Sequence, residues 1–243
     1  MSSIAILGAT GTIGSVLARR LVRHGQHVLL VGRNEEKLRA LSQELGQPFV
    51  TADLTSSLQL EEALRAMPDS QGGFHALVNC IGSILLKPAH ATSDDDFRQV
   101  VETNLFTAFA TIRVGSKLLR EQGGTIVLFA SAAAEIGIQN HEAIAAAKAG
   151  IIGLARSAAA TYAANNIRVN VVSPGLVRTE MTRRIWENPA SAAASAQLHA
   201  LGRLGEPEQV ASLVNWLLDK GNDWITGQVI GIDGGLGHVL PRR

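Results

Sequence analysis

The chain has 243 residues, with 22 Lys+Arg against 21 Asp+Glu and a formal net charge of +1. That length holds one large domain with a core needing no staples, and the near-cancelled charge argues against a nucleic-acid partner, which asks for a basic face. A single cysteine, Cys80, excludes internal disulfides and multi-cysteine metal sites, so no metal is expected.

Ser3–Leu7 is a short apolar run suited to a first strand, and residues 13–24 follow with Ile13, Val16, Leu17 and Leu21 on one helical stripe. Residues 27–31 are again strand-like. Asn34 then caps an amphipathic segment ending at Leu45, with Glu35 and Glu36 in its first turn. Further strand-like runs lie at 49–52, 76–80, 125–130, 168–172 and 228–232. Long helical patterns cover 95–119 and 141–165, the second opened by Asn140 as its cap. Residues 186–201, rich in Ala and Ser, offer the best candidate for a mobile insertion, part of a lid spanning about 179–201. The seven strands are nearly continuous in Val, Ile, Leu and Ala, which predicts burial on both faces. The expectation is one doubly wound (Rossmann) α/β domain over 1–243, its seven-stranded, mostly parallel sheet covered by helices on both faces.

No apolar run reaches the roughly 18–20 residues of a membrane span. Gly82 and Ser83 interrupt the longest, residues 76–86. The N-terminal residues read as a strand rather than a signal peptide, so a cytoplasmic protein without membrane attachment is expected.

Gly8, Ala9, Thr10, Gly11, Thr12, Ile13 and Gly14 lie directly between the first strand and first helix. Glycines there permit a tight turn and let the backbone approach a pyrophosphate at the helix N-terminus. A site for NAD places an acid about 20 residues further on, at the end of the second strand. Here that position carries Arg33, whose guanidinium suits a 2′-phosphate. NADP(H) is the expected cofactor.

With these residues in place the whole chain resembles the short-chain dehydrogenase/reductase family. Asp53-Leu54 is similar to the family's adenine-contacting pair, and Asn79-Cys80-Ile81-Gly82 to its strand end beneath the cofactor. Asn104, Ser131 and Lys148 match its catalytic asparagine, serine and lysine. Pro174-Gly175 and Thr179 resemble the segment that touches the nicotinamide and phosphates. The stretches 225–228 and 232–235 resemble its closing strand. The resemblance implies hydride transfer between NADP(H) and a small-molecule carbonyl/alcohol pair, in a homodimer or homotetramer packed through the two long helices.

The sequence departs from the family's commonest form slightly in the glycine loop, whose pattern Gly8-x-x-Gly11-x-x-Gly14 is closer to its divergent branches, and more sharply at one position. Four residues before Lys148, where the family carries its proton-donating tyrosine, stands Ile144, and its offset of 13 from Ser131 is the family's own. Isoleucine has no proton to give, and general acid catalysis is worth roughly 10²–10⁴-fold. The only tyrosine, Tyr162, is 14 residues beyond Lys148, roughly 21 Å along the helix. His141, two turns before Lys148 on the same face, is a candidate replacement. Three readings stay open: a carbonyl reductase with reassigned or weakened acid chemistry, an enoyl-type double-bond reductase, and a non-catalytic NADP-binding sensor or scaffold. Clustered Arg178, Arg183 and Arg184 either meet an acidic substrate or form a solvated helix face, the second being preferred.

Overall fold

The computed structural model describes residues 3–66 and 73–239. The first half runs β1 (Ser3–Leu7), α1 (Thr12–Arg23), β2 (Val28–Gly32), α2 (Glu35–Leu45), β3 (Phe49–Thr51), α3 (Ser57–Arg65) and β4 (Phe74–Asn79). The second half runs α4 (Asp94–Val101), α5 (Thr107–Leu118), β5 (Gly124–Phe129), α6 (Glu142–Tyr162), β6 (Ile167–Pro174), α7 (Arg183–Trp186), α8 (Pro189–Leu198), α9 (Pro207–Leu218) and β7 (Val229–Ile232). The strands form one sheet in the order β3-β2-β1-β4-β5-β6-β7. Every pairing between them is parallel, so the expected mostly parallel sheet is parallel throughout.

Alternate residues of each central strand face opposite layers. Ala5 and Leu7 of β1 join a cluster with Leu60 of α3, Ile112 of α5 and Ile151 of α6. Ile4 and Ile6 join a second cluster with Leu17 of α1, Leu38 of α2 and Val214 of α9. Because both faces are covered, the strands favour apolar residues on both sides, which is why the sequence shows runs rather than alternation. Strand order reverses between β1 and β4, and the crevice beyond their carboxyl ends is where such sheets bind ligands.

Three helical expectations are corrected. Residues 95–119 are not one regular helix: a π turn at Glu102–Phe106 separates α4 from α5. Such a turn takes one extra residue per hydrogen-bonded ring and is common at functional sites. Asn140 does not cap α6; it adopts a left-handed φ of 63°, and His141 is the N-cap residue. Helix α6 ends at Tyr162, and Ala163–Asn165 tighten into a 3-10 turn. Among the described residues one helical stretch, Glu142–Asn165, has the length and apolarity to cross a membrane. It is a core helix here, burying Ala147, Ile151, Ala155 and Ala158. The Ala- and Ser-rich stretch forms α7 and α8; Asn188 caps α8 by accepting from the Ser191 amide, and α8 buries none of its residues.

Candidate active site

Glycine at two positions of the β1–α1 loop is imposed by the fold. Gly8 has φ 78°, and a Cβ there would sit 3.2 Å from the Cys80 carbonyl carbon. A Cβ on Gly14 would overlap the Gly8 carbonyl oxygen and lie 3.0 Å from Ala9 Cα. The first turn of α1 has neither a side-chain cap nor an acidic residue. By contrast α2, α3 and α4 are capped by Asn34, Ser56 and Ser93. The free N–H groups at this uncapped end suit an anion.

The residues expected to hold the adenosine end lie around the carboxyl ends of β1, β2 and β3. Thr10 Oγ1 faces Gly32, and Arg33 is exposed at the end of β2. Asp53 Oδ1 accepts from the Thr55 amide at 3.0 Å and from its hydroxyl at 2.8 Å. These bonds, aided by the charge of Arg33, hold the Asp53 carboxyl below its ordinary range. Leu54 sends its side chain into the core, at 5% exposure.

A cavity of about 540 Å³ opens in the crevice. Gly11, Thr12 and Ile13 form one side, Ser131, His141, Ile144 and Lys148 another, and Pro174, Gly175 and Thr179 a third. Met181, Ile185 and Leu198 close over it, so its walls are mostly apolar. The lid is tied to the glycine loop, since the Glu180 amide donates to Thr12 Oγ1 at 3.1 Å.

Ser131 follows β5, and its Oγ accepts from the Ala133 amide at 3.2 Å. Lys148 Nζ is buried and donates to the Phe129 carbonyl at 2.9 Å. Desolvation pulls its pKa down to about 8. Ile144 lies one turn earlier on α6, packed with Val100, Ala143 and Ala147. His141 Nδ1 lies 2.7 Å from the Gln139 carbonyl. A carbonyl only accepts, so Nδ1 carries the proton and Nε2 of the neutral ring is an acceptor.

Asn104 and Asn79 stand behind the wall rather than in it. Asn104 sits in the π turn at 1% exposure. Its Oδ1 accepts from the Ser83 amide at 3.2 Å, and its Nδ2 donates to Ser83 Oγ at 3.0 Å. Asn79 Nδ2 donates to Thr111 Oγ1 at 2.9 Å, while its Oδ1 accepts from the Ile81 amide at 2.9 Å. The two asparagines thereby fix the 80–83 loop from below. Cys80 lines the cavity, and burial pushes its thiol up to about 12, so it stays protonated.

Two cavity residues carry no motif in the sequence. Ser83 presents a hydroxyl that accepts from Asn104 Nδ2. His199, buried after α8, contacts the Ser195 carbonyl through Nδ1 at 2.7 Å and accepts from the Leu176 amide through Nε2 at 3.1 Å. It pins the loop after β6, and only glycine fits at 175, where a Cβ would come within 2.6 Å of His199 Nε2. Tyr162 packs against the core at the far end of α6. Two of the three arginines near the lid are paired with carboxylates: Arg178 with Glu206 at 3.3 Å, and Arg183 with Glu180 at 2.6 Å and Glu187 at 3.5 Å. Both pairings favour the solvated-face reading of that cluster.

Comparison with known proteins agrees with this architecture. Residues 8–237 match a family described as enoyl-(acyl carrier protein) reductase. Carbonyl reductase family member 4 of Xenopus laevis is 32% identical over 238 residues, covering 96% of each chain. Among solved structures, a short-chain type dehydrogenase/reductase from Mycobacterium ulcerans superposes with a TM-score of 0.93 at 29% identity, covering 97% of this chain and 90% of its own. Actinorhodin polyketide ketoreductase with NADPH gives 0.88 at 30% identity, covering 98% of both. A parallel sheet in this order, a glycine loop at its switch point and relatives matching nearly end to end make this chain an oxidoreductase of the short-chain dehydrogenase/reductase family.

Proposed function

We propose that the chain is an NADP(H)-dependent reductase acting on a neutral, apolar carbonyl/alcohol pair, with its acid catalysis reassigned because Ile144 stands in the tyrosine's place. The observation that carries the reading is convergence: Ser131 and Lys148 line the same cavity as the uncapped N-terminus of α1. Bound there, NADP(H) would supply or accept the hydride. Gly8, Gly11, Thr12, Ile13 and Gly14 would hold its pyrophosphate, and Asp53-Leu54 its adenine. Pro174, Gly175, Thr179 and Lys148 would face its nicotinamide half. Asn79 supports that floor. Ser131 donates to the substrate oxygen, Asn104 positions the loop facing Lys148, and the Nε2 acceptor of His141 takes a hydrogen bond from the product hydroxyl.

The family match described as enoyl-(acyl carrier protein) reductase keeps double-bond reduction as the second reading. NADPH oxidation followed in parallel with apolar ketones and with enoyl thioesters separates the two. Ketone turnover with idle enoyl thioesters supports the first, and the reverse result replaces it.

Cofactor choice rests on Arg33. Arg33→Asp is expected to weaken NADPH binding by roughly 10–10²-fold, the worth of a charge-assisted hydrogen bond, and to leave NADH binding much less affected. Fluorescence titration of both cofactors checks this, and tighter NADH than NADPH binding by wild type overturns the assignment.

The chain associates as a homodimer or homotetramer through the layer of α4, α5 and α6. Supporting this, Phe97, Phe106 and Phe109 are 40–44% exposed there. Ala146, Ala149 and Gly153 give α6 a small-residue outer face. Phe109→Glu is expected to shift the protein toward monomer in light scattering after gel filtration. An unchanged mass places the interface elsewhere.

A further inference from the structure

The cavity wall holds a buried cation with no carboxylate paired to it among the described residues. Lys148 is 7% exposed. Its one hydrogen-bond acceptor among the described residues is the Phe129 carbonyl at 2.9 Å. Phe129 stands two residues before Ser131, so the ammonium is anchored beside the turn that carries the serine hydroxyl. On its other side stands Gly82, where a Cβ would lie 3.5 Å from Lys148 Nζ and 3.2 Å from Asn104 Oδ1. With isoleucine one turn before it, no phenol stands between this ammonium and the cavity.

We propose that Lys148 is itself the acid of carbonyl reduction, passing a proton from Nζ to the substrate oxygen directly or through one water molecule. The inference rests on the carbonyl/alcohol reading above. Other candidates serve less well. His141 Nδ1 is engaged by the Gln139 carbonyl, and in the neutral ring that leaves Nε2 nothing to donate. Cys80 stays a thiol. The remaining ionisable groups around the cavity are committed elsewhere. Glu135 accepts from Ser173 Oγ and pairs with His238 at 3.4 Å, Glu180 pairs with Arg183, and His199 is bonded at both nitrogens. No carboxylate therefore holds the lysine in its charged form, and burial brings its pKa to about 8, where an acid serves well near neutral pH.

The step balances. As hydride from a reduced nicotinamide reaches the carbonyl carbon, the C=O π pair moves onto oxygen. One N–H bond of Lys148 breaks, its proton forming the alcohol O–H and its electron pair remaining on nitrogen. Water then reprotonates the neutral amine. The charge that is lost is the one the surroundings disfavour, so donation relieves a desolvated ammonium.

The test is kcat for ketone reduction at saturating NADPH and ketone from pH 6 to 10. A plateau falling about tenfold per pH unit above roughly 8 is expected, because the acid must be protonated. Lys148→Arg keeps the charge but cannot deprotonate in this range. It should lose on the order of 10²-fold in kcat and the limb with it, while NADPH binding by fluorescence changes only several-fold. His141→Ala should lower kcat and leave the limb in place. Without turnover, the 15N-lysine NMR signal that Lys148→Arg removes should titrate with the same midpoint in wild type. A flat wild-type profile, a limb surviving in Lys148→Arg or vanishing in His141→Ala, or an NMR midpoint near the ordinary lysine value overturns the assignment. Wild type that binds NADPH and reduces no carbonyl overturns the carbonyl reading, and this one with it.

Discussion

Ile144→Tyr is expected to raise ketone reduction on the order of 10²-fold or more, the usual worth of a positioned general acid. Ile144 shares a helical face with Lys148 one turn away, and both line the cavity with Ser131. A phenol there would stand beside a cation and a hydroxyl, the surroundings that favour its ionised form and ready it to donate. The side chain is 4% exposed and packs on Val100, Ala143 and Ala147, with Leu85 and Leu105 behind. The larger ring must therefore extend toward the cavity, at an overpacking cost of about 1–3 kcal/mol. Steady-state NADPH oxidation at pH 7 and a thermal melt measure both effects. In this variant the pH limb assigned to Lys148 should move, because the phenol takes over the proton. A rate no higher than wild type would mean that the substrate oxygen is not presented at this face of α6.

Gly14→Ala should abolish measurable NADPH binding and lower the melting temperature by roughly 6–12 °C, as expected for about 3 kcal/mol in a chain of this size. The added methyl meets backbone, namely the Gly8 carbonyl and Ala9 Cα, so no side-chain rotation relieves it. Helix α1 must back away from the end of β1, which moves its N–H groups off the position proposed for the pyrophosphate. Gly137→Ala is the control, since a Cβ there has no neighbour within 4 Å and no left-handed φ. Equal melting temperatures for the two variants would show that the loop yields without strain.

The strands were legible because a sheet buried on both faces keeps its central strands mostly apolar. Ala5, Leu7, Ile4 and Ile6 are all at or near zero exposure despite facing opposite layers. Strand ends shifted by a residue or two, β6 running on to Pro174, since end residues answer to tertiary contacts rather than local preference. The glycine loop was legible because its spacing is local to one strand–turn–helix unit, whereas Ser131 and Lys148 were reached through the family resemblance; all of them line one cavity. His199 was not. It is a single histidine after an alanine-rich helix, and its partner Leu176 approaches only once the lid folds back over the end of β6. The one trace in the sequence is Gly175, whose need for a glycine becomes intelligible only beside the imidazole. Ser83 was hidden for the same reason, its partner Asn104 lying 21 residues away across a loop. The π turn left no mark because an extra backbone residue changes no composition.

That π turn makes the α4–α5 rod two-phased. An inserted residue turns everything beyond it by about 100° relative to an unbroken α-helix. Val100 of α4 is thereby directed at the Ile144 patch of α6, while Ile112 and Val114 of α5 are directed at the sheet. One rod addresses two surfaces that a single regular stripe would not match. Chain-length changes are accordingly rationed along this chain. Loss of one residue between Asp94 and Leu118 would bring both stripes into one phase and swing Asn104 off Ser83, uncoupling the loop floor from the lysine above it. A loss of the same size at Gly137, in the loop before α6 where an added Cβ would meet nothing within 4 Å, would leave this helical phase unchanged.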